Sequence, residues 1–187
     1  MRSLLKQIGY KILKIMYGQE KFANTYAIKI AREVGVKVGK DCRFYSLNFS
    51  SEPYLIEIGN HVTITEGVKF ITHDGGIWVL RGMDNKYEHA NILGKIKVGD
   101  NVFIGIDTII LPGVEIGDNS IIAAGSVVTK SFTGNSIIAG TPAKEIKDIN
   151  EYIEQNKDYL VNTKNMTVKD KKEFINKSMN ISQFRIR

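Results

Sequence analysis

Large aliphatic residues fall at every sixth position from Val98 through Ile104, Ile110, Ile116 and Ile122 to Val128. A spacing of six is not the 3.6 of a helix. It is compatible with strand alternation, but alternation alone would not set a small residue after most of these aliphatics, as at Gly99, Gly105, Gly117 and Ala123. Each hexad therefore reads as a short strand plus a turn. "IKVGDN" at 96–101 and "VEIGDN" at 114–119 lie 18 residues apart, and "VKVGKD" and "IEIGNH" repeat the motif nearer the N-terminus. Three hexads make one coil, so the pattern predicts a triangular prism of stacked parallel strands, with aliphatics inward and Gly, Asn and Asp at the corners where unusual backbone angles are needed. Each inward Ile or Val is worth about 1.5–3 kcal/mol only where the next coil covers it.

A stack with two open ends needs lids, and the flanks supply helical patterns. Leu4, Leu5, Ile8, Ile12, Ile15 and Met16 share one helical face, and a second helix is expected over about 20–33. After Pro142, "DINEYIEQNKDYL" reads as a helix, and Thr167 with Asp170 three residues later forms a capping pattern before another. The expected organisation is an N-terminal helical cap over 1–34, an all-β prism over 35–147 interrupted at 75–95, and a C-terminal helical tail over 148–187.

No stretch of the 187 residues approaches the roughly 20 apolar residues of a membrane span, and lysines break up the N-terminal apolar run, so a cytoplasmic protein is expected. Residues 1–43 hold ten basic and three acidic residues, so the net charge of +6 belongs to the N-terminus. Such a segment admits peripheral contact with an anionic membrane at its inner face, although a solvated helix face accounts for it as well. Nucleic acid is not an expected partner. Cys42, the single cysteine, has no disulfide partner and reads as a small buried residue.

The run "NVFIGIDTIILPGVEIGDNSIIAAGSVVTKSFTGNSIIAGTPAKEI" over 101–146 resembles the hexapeptide-repeat acetyltransferases, whose fold is a left-handed parallel β-helix, and within them the maltose, galactoside and polysaccharide O-acetyltransferase branch. The resemblance covers about 35–147. It implies a homotrimer with active sites between subunits, and acetyl transfer from acetyl-CoA to a sugar hydroxyl, here in surface polysaccharide synthesis.

His73 stands in "FITHDGG", where the period stops. A histidine at the edge of the prism is placed to reach a substrate, and the resemblance makes it the general base. Imidazole titrates near neutrality and suits removal of a hydroxyl proton. The chain has no GxSxG elbow, which favours direct transfer over an acyl-enzyme. The non-repeat segment 75–95 carries Trp78 and Arg81, suited to stacking on and bonding a sugar, beside Asp74. His89 ranks below His73 as a base, and His61 reads as a corner residue. Val38 and Ile58 are 20 residues apart, two more than one coil. In that slipped stretch the resemblance implies an Asn and an acid at the acceptor, matched by Asn48 and Glu52.

For acetyl-CoA, Gly105, Ala124 and Gly125 are small enough to leave a shallow groove, with Ile106 contributing through its backbone. The resemblance adds Thr129 and Lys130, with Lys144 and Lys147 for the phosphates. No metal is expected: His61, His73 and His89 form no close pair at ligand spacing, which sets aside the carbonic anhydrases built on the same prism. A non-catalytic scaffold is disfavoured by the intact cofactor pattern. The alternative activity is N-acetylation of a nucleotide-linked amino sugar, or acetylation of an antibiotic.

Overall fold

In a computed structural model of the protein, the described residues are 15–178 with Gly9, Ile12 and Leu13. A helical turn at Gln19–Lys21 passes through a π-helical turn at Phe22–Tyr26 into helix α1 (Ala27–Glu33). The first coil follows with β1 (Lys37–Val38) and β2 (Arg43–Phe44). The second carries β3 (Ile56–Ile58), β4 (Thr63–Ile64) and β5 (Lys69–Phe70); α2 (Ile77–Met83) lies in the excursion after it. The third has β6 (Ile96–Val98), β7 (Phe103–Ile104) and β8 (Ile109–Ile110), and the fourth β9 (Glu115–Ile116), β10 (Ile121–Ile122) and β11 (Val127–Val128). Strands β12 (Ser136–Gly140) and β13 (Ala143–Asp148) close the stack, and helices α3 (Ile149–Asn156) and α4 (Val168–Ser178) complete the order.

The coil strands assort into three parallel sheets, β1-β3-β6-β9, β2-β4-β7-β10-β12 and β5-β8-β11, which are the three faces of the predicted prism. Val98, Ile104, Ile110, Ile116, Ile122 and Val128 are all at or below 2% exposure, so the six-residue column is the continuous core. Lys97 pairs with Glu115, Phe103 with Ile121 and Ile109 with Val127, an offset of 18 on every face.

One corner shows how the coils turn. Asp41, His61, Asn101, Asn119 and Asn135 all take φ between 52° and 56°, the left-handed region that Asn and Asp tolerate best. Their side chains continue the stack. His61 Nδ1 contacts Asn101 Oδ1 at 2.9 Å, Asn101 donates to Asn119 at 2.8 Å, and Asn119 donates to Asn135 at 3.0 Å. His61 is thus the corner residue expected. Along the first face, opposed Lys37 and Glu57 continue to Lys97 and Glu115, alternating in charge. Lys37 and Lys95 lie 2.7 and 2.9 Å from Glu57 Oε1, which lowers the Glu57 carboxyl to about 2.

The lid differs from expectation. Phe22, Ala23, Ala27, Ile28 and Ala31 are buried, spaced by helical turns, and pack over β1 and β2. Leu4, Leu5 and Ile8 lie outside the described residues, as do Arg2, Lys6, Lys11 and Lys14 of the basic segment invoked for membrane contact. Ile12, Ile15 and Met16 are exposed, and Leu13 is the residue that packs on the core. No helix among the described residues is long and apolar enough to cross a membrane. Cys42 is buried and its thiol contacts the Lys40 and Gly59 carbonyls, with burial raising its pKa.

The period also gives no sign of β13, which folds back antiparallel on β12. The chain divides into compact units before and after 149/150. In the second, Thr167 accepts the Asp170 amide at 3.2 Å and donates to its carboxylate at 2.7 Å, capping α4 as its sequence predicts.

Candidate active site

Two departures from the 18-residue step build the site. Lys37 pairs with Glu57 and Arg43 with Thr63, offsets of 20, and the extra length emerges after Phe49 as 50–52 and a 3₁₀ turn at Pro53–Leu55. The second departure follows β5. Glu57 pairs with Lys97, an offset of 40, so the chain leaves the prism for 22 extra residues. The two ends of this excursion are tied together: His73 bridges Leu93 antiparallel, Asp74 N donates to Ile92 O, and Gly94 N donates to Thr72 O. The coils on either side stay in register because the neck is closed.

Inside the excursion, Asp74 Oδ1 accepts the Gly76 amide at 2.8 Å in the turn that leads into α2. Ile77 is buried and anchors the helix, whereas Trp78 is 76% exposed. Arg81 donates to the Ala90 carbonyl and to Asn91 Oδ1, bracing the returning strand.

The slip and the excursion meet at His73. Its Nδ1 lies 3.2 Å from Ser51 Oγ, 3.3 Å from Glu52 Oε2 and 3.4 Å from Ser50 Oγ. Glu52 Oε2 also accepts from the Thr72 hydroxyl at 2.7 Å and the Ser51 hydroxyl at 3.0 Å. The Thr72 bond lowers the Glu52 pKa most, partial burial opposes it, and Ser51 and His73 lower it further, leaving it below the usual carboxylate range. No hydrogen bond engages His73 Nε2 among the described residues, and the side chain is 45% exposed to an open pocket of about 560 Å³. Tyr54 and Trp78 give the pocket aromatic walls, and Ile92 and Leu93 an apolar floor. A neutral imidazole lining such a cavity is chemically able to take a proton from a bound hydroxyl.

The structure brings His73, Glu52, Asp74, Trp78 and Arg81 into one pocket. Asn48 is not part of it. Its backbone bridges Lys69 and accepts the Phe70 amide, which sets it on the third face before the corner that carries Ser51. Glu52 touches the imidazole, and Arg81 donates through Nη2 within the loop, while its buried Nε has no hydrogen-bond partner among the described residues. His89 is exposed and lies 3.9 Å from Glu88, outside the pocket lining. Sequence reasoning missed Ser51, Tyr54 and Thr72. The two-residue slip was the signal for Ser51 and Tyr54, but an offset does not say which side chain faces His73, and Thr72, beside the histidine at the neck, carried no signal of its own.

The residues assigned to acetyl-CoA occupy two corners and strand β13. Gly105, Ile106, Ala124 and Gly125 follow strands of the second face, whereas Thr129 and Lys130 follow β11 at the corner that His73 occupies two coils earlier. Gly105 does not open a groove. It is buried, and a Cβ there would lie 2.4 Å from the Ala124 amide nitrogen, so glycine lets the coils stack. Gly125 is exposed with φ 70° and open space at its Cβ position. The Ile106 carbonyl already accepts from Gly125 N, while its side chain is 52% exposed. Lys130 lies over the Phe132 ring at 5.6 Å. On β13, Lys144 and Lys147 oppose Ala139 and Ile137, and the register shift between them leaves Ile146 as the extra residue. Plain alternation would put the two lysines on opposite faces; the bulge returns them to one.

The family model described as bacterial transferase hexapeptide (six repeats) matches residues 95–130. The chain is 48% identical over 177 residues to protein CapG of Staphylococcus aureus, covering 91% of this chain and 94% of that protein. It is 39% identical over 101 residues to galactoside O-acetyltransferase of Escherichia coli, 54% of this chain and 47% of that one. Among solved structures, a hexapeptide-repeat-containing acetyltransferase from Vibrio cholerae superposes with TM-score 0.53 at 23% identity, over 75% of this chain and 89% of the other, and shows the same left-handed parallel β-helix fold. With a hexad core that closes into that prism, and near-half identity running almost the full length of a relative, the chain belongs to the hexapeptide-repeat acyltransferase family.

Proposed function

We propose that the protein is an O-acetyltransferase that moves an acetyl group from acetyl-CoA to a hydroxyl of a sugar or saccharide in surface polysaccharide synthesis, with His73 as general base. The observation that carries this reading is the imidazole itself, held through Nδ1 and open at Nε2 to a pocket with aromatic walls. Nε2 takes the hydroxyl proton as the oxygen attacks the acetyl carbon, the carbon–sulfur bond breaks, and the departing thiolate receives the proton. The similarity to a protein named galactoside O-acetyltransferase supports the sugar acceptor. Trp78 and Tyr54 offer faces on which a pyranose ring can stack.

For the donor, Ala124 and Gly125 provide an exposed small surface, and Lys144 and Lys147 share a strand face suited to phosphate oxygens. These residues fit the cofactor, with Thr129 and Lys130 at the nearer corner. Gly125 and His73 sit at different corners of one prism, a face of about 20 Å apart for six residues of strand. That separation, and the exposed Trp78, Val79 and Met83 on α2, support a homotrimer in which sites form between copies. The proposal includes a cytoplasmic location, with residues 1–34 as cap, 35–147 as catalytic prism and 148–187 as tail.

The test is titration calorimetry of the full chain with acetyl-CoA, coupled to thiol release with a panel of saccharides. His73→Ala is expected to bind acetyl-CoA as the parent does and to lose roughly 10²–10⁴ in kcat. Absence of acetyl-CoA binding at millimolar concentration, or activity of His73→Ala within threefold of the parent, overturns the reading.

A further inference from the structure

We infer that Glu52 is a positioning residue for His73, clamped by the buried hydroxyl of Thr72, and not a ligand of the acceptor. This rests on the reading of His73 as the base. The hydrogen-bond network assigns the imidazole tautomer. Thr72 Oγ1 and Ser51 Oγ both donate to Glu52 Oε2, at 2.7 and 3.0 Å, so their protons are committed. What faces His73 Nδ1 is then the carboxylate oxygen at 3.3 Å and the lone pairs of Ser51 Oγ at 3.2 Å, both acceptors, with Ser50 Oγ, which accepts the Thr72 amide, farther off at 3.4 Å; the ionised carboxylate at this nitrogen favours a proton on it. Nδ1 therefore carries the proton, and Nε2 presents the lone pair that a general base needs.

Thr72 is the fixed point. It is fully buried at the neck, its amide lies 3.4 Å from Ser50 Oγ and its carbonyl accepts from Gly94 N, so its hydroxyl cannot wander. The clamp aims one carboxylate oxygen at the ring from the coil below. When Nε2 takes the acceptor's proton, the imidazolium's positive charge forms beside a carboxylate already in place, and it disappears again when that proton passes to the thiolate. No atom of Glu52 is gained or lost in the cycle. The other charged or titratable groups lining the pocket are Tyr54 from the 3₁₀ turn, Asp74 from the neck and Arg81 from α2. Asp74 is tied to the Gly76 amide and Arg81 to the loop, while Glu52 is the carboxylate in contact with the ring.

A positioning role and an acceptor-binding role separate in kinetics. With the full chain, acetyl-CoA and a saccharide from the active panel, Glu52→Gln is expected to lower kcat roughly 10- to 100-fold with acceptor KM changed less than twofold. The acid limb of its pH–kcat profile is expected to move toward lower pH, because the variant lacks the carboxylate that lies 3.3 Å from Nδ1 and favours the charged ring. Thr72→Val keeps the carboxylate but frees it, and is expected to lower kcat by a smaller factor with its limb displaced in the same direction. A Glu52→Gln enzyme with raised KM, unchanged kcat and an unmoved limb overturns the inference in favour of acceptor binding. If Glu52→Gln does not fold, as read by its melting curve, Thr72→Val carries the test, and an unchanged kcat and limb there overturn the inference. His73→Ala run alongside keeps the two ideas apart: loss of activity there with an unmoved limb in Glu52→Gln defeats the positioning role alone, whereas retained activity in His73→Ala defeats the base itself.

Discussion

The third and fourth coils keep the 18-residue step on all three faces, whereas the steps before them are 20 and 40 residues long. The even pair supplies the most complete hydrophobic column. The uneven pair supplies His73, Glu52, Trp78 and the pocket between them. The difference teaches that in a stacked fold chemistry collects where the repeat fails. An extra residue in a coil has no inward slot to fill, so it is pushed to the corner, where it is free to touch a substrate.

If that division holds, damage to the inward column of the even coils, away from the corners proposed for the donor, should appear as lost stability and leave the reaction alone. Ile116→Ala removes a 2%-exposed side chain from the column and is expected to cost about 2–5 kcal/mol in urea unfolding, with kcat/KM of the folded enzyme unchanged. A loss under about 1 kcal/mol would show that the column is less continuous than its burial implies.

Charge sharpens the comparison, because the Glu57 cluster ties an uneven coil to the even ones through Lys37 and Lys95. The folded-state pKa of Glu57 is lowered from 4.5 to about 2, so its stabilising contribution is complete above pH 4.5 and is lost as pH falls from there toward 2. Urea melts of the parent and Glu57→Gln should therefore differ near neutrality and converge across that window. A constant difference at all pH values would assign the effect to packing.

The smallest expected effect lies at the corner. His61→Asn places the residue of three higher coils at φ 54° and is expected to stabilise by a few tenths of a kcal/mol, whereas His61→Val should cost about 1–2 kcal/mol. Chemical denaturation of the two variants checks both signs. If both destabilise equally, the imidazole contact with Asn101 outweighs the backbone preference.

The same contrast explains what could be read in advance. The hexad is a local rule, so Ile104 or Ile122 could be pointed inward and His61 placed at a corner without knowing anything distant. Glu52 could be placed near the acceptor but not on the imidazole, because its role depends on where a two-residue slip emerges relative to a histidine 21 positions later. Asn48 was expected in the pocket for the same reason and lies one corner early. Gly105 misled in another way, since a glycine beside an inward aliphatic looks alike whether it opens a groove or lets two backbones meet. Strand β13 has no hexad at all; it exists because β12 offers an open edge.

The closed neck at His73 and Leu93 makes the excursion a cassette. With Thr72 and Gly94 joined across it, changes of length or composition in residues 75–91 reach the coils only through that junction, and loop closure itself is cheap to alter. On the proposed function, inheritance can rewrite the acceptor while the donor machinery stands still. Among descendants of one such chain, what is modified should diverge long before the framework that does the modifying.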